Sequence, residues 1–223
     1  MSDAETMLVP VQTRVITPED NIIDIIEEYA KDQITSDDVV SIAESVLAIT
    51  QGNMVLPEDL NPSFLARIIC RFVHPDGSMS SAYGMQAVMD KEGEWRVFFA
   101  MLLGMVGKVF GKSGVFYKFA GRQARLVDDV TGNMPPFDKH IVYGPENTDK
   151  VVEEIKNHFS AYGAAIADVN DLKKAFILST TEGVDKAKLA KMLIHNPFGN
   201  ASEKTPIVII KNYVKTASRL VSN

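Results

Sequence analysis

The chain has 223 residues, of which 46% are hydrophobic and 23% are charged, a composition typical of a globular protein with one large domain or two small ones. The net charge is −6 and the basic residues are scattered along the chain, which argues against nucleic acid as a partner. Cys70 is the only cysteine. A disulfide framework and a thiolate metal site are therefore excluded, and a reducing cytoplasm is the expected location.

Neither a signal peptide nor a transmembrane segment is predicted. The chain begins MSDAETMLVPVQTRV, without a basic n-region or an apolar h-region. Its longest apolar run is VFFAMLLGMVG, from Val97 to Gly107, far shorter than the roughly 20 residues that a spanning helix needs. We interpret the segment from Trp95 to about Gly111 as a helix with three possible environments: the core, a dimer interface or a membrane surface.

The first third of the chain predicts a helix and then a strand that leads into a functional or helical segment. Thr17 and Pro18 have the types expected of an N-cap and a first helical residue. The helix that follows has apolar residues at helical spacing in NIIDIIEEYAK. The next apolar run, VVSIAESVLAI, begins with β-branched residues as a buried strand does, and then includes Glu44.

The middle of the chain, from Asn61 to Phe159, is predicted to mix helices with a strand pair. Asn61 and Pro62 favour the start of a helix that continues to Phe72. After the apolar helix, the alternation in GVFYKFAGRQARLVDDV is typical of two strands, and the prolines of TGNMPPF require irregular structure. A third amphipathic helix is predicted over DKVVEEIKNHF.

The last third is predicted to hold three strands and one helix. GAAIADVNDL begins as an interior strand and ends in acids and amides. It is followed by a strand from Ile177 to Ser179, a helix from Val184 to Ile194 and a final strand in PIVIIKNYV. Alternating strands and helices indicate an α/β or α+β fold with a mixed sheet and flanking helices. The nucleotide-binding G-x-G-x-x-G, P-loop and hydrolase nucleophile-elbow motifs are absent.

Two acidic clusters follow apolar runs and are candidates for a metal site. One is Asp128–Asp129, and the other begins at Asp168 and continues to Asp171. Carboxylates that converge from strand ends are the hard oxygen ligands that Mg²⁺ or Mn²⁺ prefers, commonly next to a phosphate. The alternative is that these residues form turns or cap helices. Their spacing does not decide between the two, because they would meet only through the fold.

Three further polar groups have functional and structural interpretations. Arg122, followed by Gln123, offers a guanidinium for a carboxylate or phosphate, or for an ion pair with Asp128. The loop that begins at Asn196 offers amide oxygens to a ligand, or is an ordinary helix-to-strand connection. The four histidines have no metal-ligand spacing and are interpreted as surface or capping residues.

Several blocks together resemble one known family. They are DNIIDIIEEYA with DDVVSIAESVLAITQGN, RFVHPDGSMSSAYGMQ, FYKFAGRQARLVDDVTGNMPPFDKHIVYGP, IADVNDL and GVDKAKLAKMLIHNPFGNASEKTPIVII. In these the chain is similar to the gamma-glutamyl ligases that build the glutamate tail of the deazaflavin coenzyme F-420, and especially to a divergent bacterial branch. The resemblance implies a single ligase-like domain over residues 1–223, a helical insertion at about 61–112, and an intertwined homodimer.

The resemblance also implies site residues. The two metal-binding aspartates of the family fall on Asp129 and Asp168, which would hold Mg²⁺ or Mn²⁺ against GTP, and Asn170 retains a family amide. A family carboxylate falls at about Asn196, a neutral ligand. A basic stretch of the family has become Ala48 to Asn53, so that Ile49 and Asn53 replace two cations and place anionic substrate binding in doubt. For the substrates we predict contacts with four residues: Arg122, Gln123, Glu44 and Gln51.

The function implied is a metal-dependent, GTP-driven ligase that adds L-glutamate or a related amino acid to a carboxylate acceptor through an acyl phosphate. A second hypothesis is a catalytically silent binding or regulatory homologue, which the loss of the cations at Ile49 and Asn53 would favour. A third is a nucleotide-dependent transferase that uses a different acceptor amine. The sequence does not separate the third from the first.

Overall fold

A computed structural model describes residues 7–74, 77–128, 136–170, 173–199 and 203–214. Its strands are β1 (Leu8–Val11), β2 (Val39–Ala43), β3 (Met54–Val55), β4 (Ile141–Val142), β5 (Gly163–Asn170), β6 (Lys174–Thr180) and β7 (Ile207–Ile210). Its α-helices are α1 (Ile22–Tyr29), α2 (Glu44–Thr50), α3 (Phe64–Ile69), α4 (Ala82–Glu92), α5 (Glu94–Val109), α6 (Val115–Phe119), α7 (Gln123–Leu126), α8 (Thr148–Phe159) and α9 (Lys186–Leu193).

The chain forms two compact units. The sheet unit consists of residues 1–52 and 145–223, and the helical unit consists of residues 53–144. The predicted insertion at about 61–112 lies inside the helical unit. The single domain over residues 1–223 stays a prediction.

The sheet unit is built on a five-stranded mixed sheet with the order β1-β7-β2-β5-β6. Strands β2 and β5 are parallel, and the other neighbours are antiparallel. One face packs against α1, α2 and α8, and the other face packs against α9. Both faces of β2 and β5 are covered, which explains why these strands are almost continuously apolar. The mixed sheet with flanking helices confirms the predicted fold class.

The helical unit has a core of its own. Helices α3, α4 and α5 bury apolar side chains together with the two-stranded sheet of β3 and β4. The predicted helix from Trp95 to about Gly111 is confirmed as α5. The strand pair predicted in GVFYKFAGRQARLVDDV is wrong, because this segment forms the short helices α6 and α7. Gly114, with a φ of 75°, immediately precedes α6, and Gly121, with a φ of 110°, lies between α6 and α7. Helix α6 packs against α5.

Two predicted helix starts are wrong by a few residues. Helix α1 is capped by Asn21, whose side chain accepts a hydrogen bond from Ile23 N at 2.8 Å, and not by Thr17. Thr17 instead donates its backbone N–H to Asp20 at 2.7 Å in a turn held by Arg14. Helix α3 is capped by Ser63, two residues after Asn61. In both places the Thr-Pro or Asn-Pro pair lies in the turn before the helix. A different polar side chain, next to the first helical residue, supplies the cap.

A glycine permits a close contact between α4 and α7. Gly121 has a φ of 110°, and a Cβ at this position would lie 2.0 Å from Glu92 Oε2. Glu92 accepts hydrogen bonds from Gln123 N at 2.7 Å and from Arg96 at 2.8 Å. A side chain at position 121 would therefore strain the backbone and break these bonds.

Replacing Gly121 with alanine should lower the free energy of unfolding by about 2 kcal/mol or more, because backbone strain and lost hydrogen bonds add. Urea denaturation measures this change. Gly111 is the matched control, since its φ is 70° but no atom lies within 4 Å of the added Cβ. There, alanine should cost only about 1 kcal/mol. Equal losses in the two variants would contradict the role assigned to Glu92.

Candidate functional site

The candidate site begins where the pairing between the two parallel strands of the sheet ends. Strands β2 and β5 run in register, with Ala43 beside Ala167 as the last pair. The next residue on each is an acid, Glu44 on one and Asp168 on the other. The carboxyl ends of adjacent parallel strands are a common position for ligand sites in α/β proteins. The sheet therefore places Glu44 and Asp168 at one edge, although they are far apart in the sequence.

Glu44 is held by a direct change from strand to helix. Strand β2 ends at Ala43 and α2 begins at Glu44 without an intervening loop. Glu44 is only 9% exposed, which is unusual for a glutamate. The strand predicted at the start of VVSIAESVLAI is confirmed, and the segment after it, predicted to be functional or helical, is a helix. This change from strand to helix explains how an acid comes to lie at the end of an interior strand.

Asp168 lies on the face of the sheet that packs against α1 and α8. Side chains alternate along a strand, and Ala164 and Ile166, four and two residues earlier, belong to the core on that face. Desolvation by the surrounding protein raises the pKa of the Asp168 carboxyl above its usual value, although the residue keeps an exposed surface. Among the described residues, none forms a hydrogen bond or an ion pair with this side chain.

A desolvated carboxyl with no ion-pair partner among the described residues fits a bound metal ion, because the ion would offset the unfavourable carboxylate charge. The described residues contain no group of three or more His, Cys, Asp or Glu that would hold a metal by itself. Asp129, the predicted partner of Asp168, lies outside the described residues, so its position relative to Asp168 stays a prediction. Asn170 is the last residue of β5, where its backbone pairs with Lys174.

The loop before β7 reaches the same edge of the sheet. Strand β7 is antiparallel to β2, so its first residue, Ile207, lies beside Ile42. Pro206 O accepts a hydrogen bond from Ala43 N at 2.9 Å, and Lys204 O accepts one from Thr13 N at 2.8 Å. Neither Thr13 nor Lys204 was predicted to lie near the site. No local signal was available, because only the antiparallel return of β7 brings them to this edge.

Asn196 lies in the turn that follows α9. Its φ of 51° is left-handed, and its amide nitrogen donates to Gly199 O at 3.2 Å. This geometry is that of an ordinary turn, in which asparagine is favoured. The predicted ligand role of Asn196 stays a prediction.

Two of the predicted substrate residues form hydrogen bonds from their side-chain amides to main-chain groups. Gln51 accepts from Glu146 N at 2.7 Å and donates to Glu146 O at 2.9 Å. Gln123 is buried, accepts from Gly144 N at 2.8 Å and donates to Gly144 O at 3.2 Å. Both amides therefore fix main-chain segments, which sequence spacing did not indicate. Contact with a substrate stays a prediction for each.

The remaining predicted residues differ in exposure. Arg122 is exposed immediately before α7. Ile49, which replaces a family cation, is 5% exposed and belongs to the buried side of α2. A lysine at position 49 would need the chain around it to open, so the isoleucine is part of the local packing. The backbone carbonyl oxygen of Asn53 accepts a hydrogen bond from Tyr143 N at 2.9 Å.

Comparison with known proteins identifies the family. Curated proteins give no match to the chain. The family described as F-420-0:gamma-glutamyl ligase matches residues 10–169. The match includes Glu44, Asp129 and Asp168 and ends one residue before Asn170. It covers well over half of the chain and confirms the resemblance given by the sequence blocks. The chain therefore belongs to the F-420-0:gamma-glutamyl ligase family.

Proposed function

We propose that this protein is a metal-dependent, GTP-driven ligase that joins the amine of L-glutamate, or of a related amino acid, to a carboxylate acceptor. Membership of a gamma-glutamyl ligase family supports a ligase activity in general, with a small-molecule carboxylate and an amino acid as substrates. The structural observation that carries the proposal is the desolvated Asp168 carboxyl near the end of β5, beside the strand that leads to Glu44. We place the reaction in a reducing cytoplasm, which suits a chain with one cysteine.

In the proposed reaction, an acceptor carboxylate oxygen attacks the γ-phosphorus of GTP, GDP leaves, and an acyl phosphate forms. The amine then attacks the acyl carbon, inorganic phosphate leaves with one former carboxylate oxygen, and the amine proton passes to solvent. Asp168 and Asp129 would hold Mg²⁺ or Mn²⁺, which neutralises charge on the phosphates. Asn170 and Asn196 would lie near the nucleotide. Arg122, Gln123, Glu44 and Gln51 would orient the substrates.

Heavy-oxygen labelling of the acceptor carboxylate tests this route. The protein is incubated with GTP, Mn²⁺, L-glutamate and a labelled deazaflavin carboxylate, and the phosphate and amide products are analysed by mass spectrometry. We expect one labelled oxygen per inorganic phosphate and one glutamyl residue per product. GDP formed with unlabelled phosphate would contradict the acyl phosphate. Omitting glutamate should stop amide formation.

A second candidate function is a catalytically silent small-molecule-binding or regulatory homologue. The buried Ile49, in place of a family cation, favours it. Thermal shift assays with nucleotides, amino acids and deazaflavin fragments separate the two functions, since a ligand that binds the folded state raises the melting temperature. Stabilisation by a ligand without any GTP consumption would support the silent homologue.

We also propose a homodimer, which the family resemblance implies. Light scattering should then give a particle of twice the 24.6 kDa chain mass. A particle of single-chain mass at all concentrations would contradict the dimer and leave the ligase proposal intact.

A further inference from the structure

Helix α5 has its apolar side chains on its outer face as well as on its inner face. Val97, Ala100 and Gly107 are buried on the inner side. At helical spacing on the opposite side, large apolar residues are exposed, including Trp95 at 65% and Phe110, just after the helix, at 75%. A surface helix normally presents polar residues to water. The outer face of α5 therefore needs a partner.

The inner face of α5 fixes the orientation of this helix. A Cβ added to Gly104 would lie 2.9 Å from Phe116 Cβ, and one added to Gly107 would lie 2.6 Å from Val115 Cγ2. These glycines allow α6 to pack closely on α5. Rotating α5 to bury its outer side chains would break this contact. The exposed apolar residues are therefore presented by a firmly packed element.

Helix α3 and the turn after it extend the exposed apolar surface. Ser63 Oγ and Glu94 Oε1 are 2.6 Å apart, which joins the beginnings of α3 and α5. The residues that follow them, Phe64 and Trp95, are both largely exposed. We define the apolar face by its ten exposed residues: Phe64, Ile68, Phe72, Trp95, Phe99, Leu102, Leu103, Val106, Val109 and Phe110.

The size of the apolar face exceeds that of an ordinary surface patch. Five of its ten residues are aromatic, and an aromatic side chain offers about 150–250 Å². With the exposed fractions of the ten residues, the face measures on the order of 1,000 Å². The largest apolar patch on a typical monomer is about 300–600 Å², and larger ones mark interaction sites.

The charge around the apolar face indicates the kind of partner. Residues 63–74 and 94–119 contain six basic residues and one acidic residue, Glu94, although the whole chain has a net charge of −6. Arg96, one of the six, pairs with Glu92 just outside these ranges, and the other five leave the region positive. Arg67 and Arg71 are exposed and alternate along the chain with Phe64, Ile68 and Phe72. Two copies joined through this face would bring the same excess of positive charge together. Anionic lipid headgroups would instead neutralise it.

We propose that the apolar face binds the surface of a membrane that contains anionic lipids. Aromatic and aliphatic side chains would enter the boundary between headgroups and acyl chains, and the arginines would contact lipid phosphates. Every helix in the described part of the chain is too short or too polar to cross a bilayer. Helix α5, with 16 residues, is about 24 Å long and would lie in the membrane plane. This proposal does not depend on the proposed ligase activity.

Trp95 makes the proposal directly testable, because it is the only tryptophan in the chain and belongs to the apolar face. The full chain is mixed with vesicles of phosphatidylcholine, with or without phosphatidylglycerol. We expect the Trp95 emission to shift to shorter wavelength with the anionic vesicles. Lipids brominated on the upper acyl chain should quench it. Co-sedimentation with the vesicles gives the partition coefficient.

Two double variants separate the apolar and the charge contributions. L102Q/V106Q should lower the partition coefficient at least about tenfold, since both side chains lose apolar contact with the bilayer. R67Q/R71Q should lower binding to anionic vesicles about tenfold and leave the weak binding to neutral vesicles unchanged. The matched control is M7Q, which changes an exposed apolar residue outside the face. It should bind like the parent chain, and circular dichroism should show all of these variants folded.

Two results would overturn the proposal. One is an unchanged Trp95 spectrum and no sedimentation with any vesicle. The other is a second copy on the face: Trp95 protected from iodide quenching without lipid, together with a dimer that L102Q/V106Q converts to a monomer. If the protein dimerises through another surface, L102Q/V106Q remains dimeric and loses only vesicle binding.

Discussion

Replacing Asp168 with asparagine should remove the response of the protein to Mn²⁺ and lower GTP-dependent ligation at least about hundredfold, while the fold stays intact. Asparagine keeps the size of the side chain but offers a neutral ligand. The measurements are calorimetric titration with Mn²⁺ and GTP, and turnover with saturating substrates. Glu153→Gln is the control, since it removes an exposed acid on α8 that is not one of the proposed site residues. It should leave both measurements unchanged.

The raised pKa of Asp168 determines the direction in which the Asp168→Asn substitution changes the stability of the fold. A carboxyl whose pKa is raised on folding favours the folded state below its unfolded pKa, and this contribution is lost as the pH rises through the folded pKa. Near neutral pH the carboxylate form is therefore unfavourable to the fold. The asparagine variant should be as stable as the parent chain or more stable. A large loss of stability together with the loss of activity would assign Asp168 a structural role.

The same raised pKa predicts the pH dependence of metal binding. The carboxyl must lose its proton to bind a divalent cation. As the pH falls through the raised pKa of Asp168, Mn²⁺ affinity should therefore decline at a higher pH than for an ordinary aspartate. Titrations at several pH values measure this decline. An affinity that stays constant until the pH reaches the usual aspartate range would contradict it.

Replacing Asp38 with asparagine should lower the free energy of unfolding by about 3 kcal/mol, the largest stability effect that we expect from a single side chain here. Asp38 is fully buried. Its carboxylate accepts hydrogen bonds from Thr35 N at 2.8 Å, Thr35 Oγ1 at 2.7 Å and Asn212 N at 2.9 Å, and it pairs with Lys211. It thus joins the start of β2 to the residues after β7. The variant would leave Lys211 without its charged partner.

The effect of Asp38 should depend on pH with the opposite sign to that of Asp168. Burial alone would raise the pKa of Asp38, but its hydrogen bonds to Lys211, Asn212 and Thr35 hold the pKa below its usual value. A lowered pKa stabilises the fold above the unfolded value of about 3.9, and this contribution is lost as the pH falls through the folded pKa.

Urea denaturation of the parent chain and the Asp38→Asn variant at a series of pH values measures this dependence. The difference should be full near pH 7 and should shrink as the pH falls below the unfolded value of about 3.9. The exposed Asp32→Asn is the control, expected within about 0.5 kcal/mol of the parent. A difference between parent and Asp38→Asn that does not change down to the acid range would contradict the assigned charge interactions.

Elements with long, regular patterns were predictable from the sequence. Helix α1 buries Ile22, Ile23, Ile25 and Ile26, as its periodicity indicates, and α8 spans the predicted amphipathic segment. The strands β2, β5 and β7 were visible as short apolar runs. In these elements local preference and burial favour the same structure.

The segment from Gly114 to Leu126 was not predictable in the same way. Helices α6 and α7 contain five and four residues. So short a helix completes little more than one turn, and its pattern does not differ reliably from strand alternation. The contact of Val115 and Phe116 with the glycines of α5 belongs to the tertiary structure, which a local pattern does not contain.

The chemical groups of the candidate site were predictable from the sequence, but their arrangement in space was not. Glu44 and Asp168 are each recognisable as an acid that follows an apolar run. Their position at one sheet edge follows from the parallel pairing of β2 with β5, which joins residues more than 100 positions apart. The bonds from Gln51 and Gln123 to the main chain likewise require the fold. Sequence identifies the chemical groups, whereas strand pairing decides which of them meet.

The strand order of the sheet has a consequence for how the chain is made. Strand β7, near the carboxyl terminus, lies between β1 and β2, near the amino terminus. During synthesis on a ribosome, β1 and β2 must wait without their shared neighbour until β7 has emerged. The helical unit is one uninterrupted stretch, residues 53–144, rich in local contacts, and such segments acquire structure quickly. We therefore expect a nascent chain in which the middle folds first and the two ends close last.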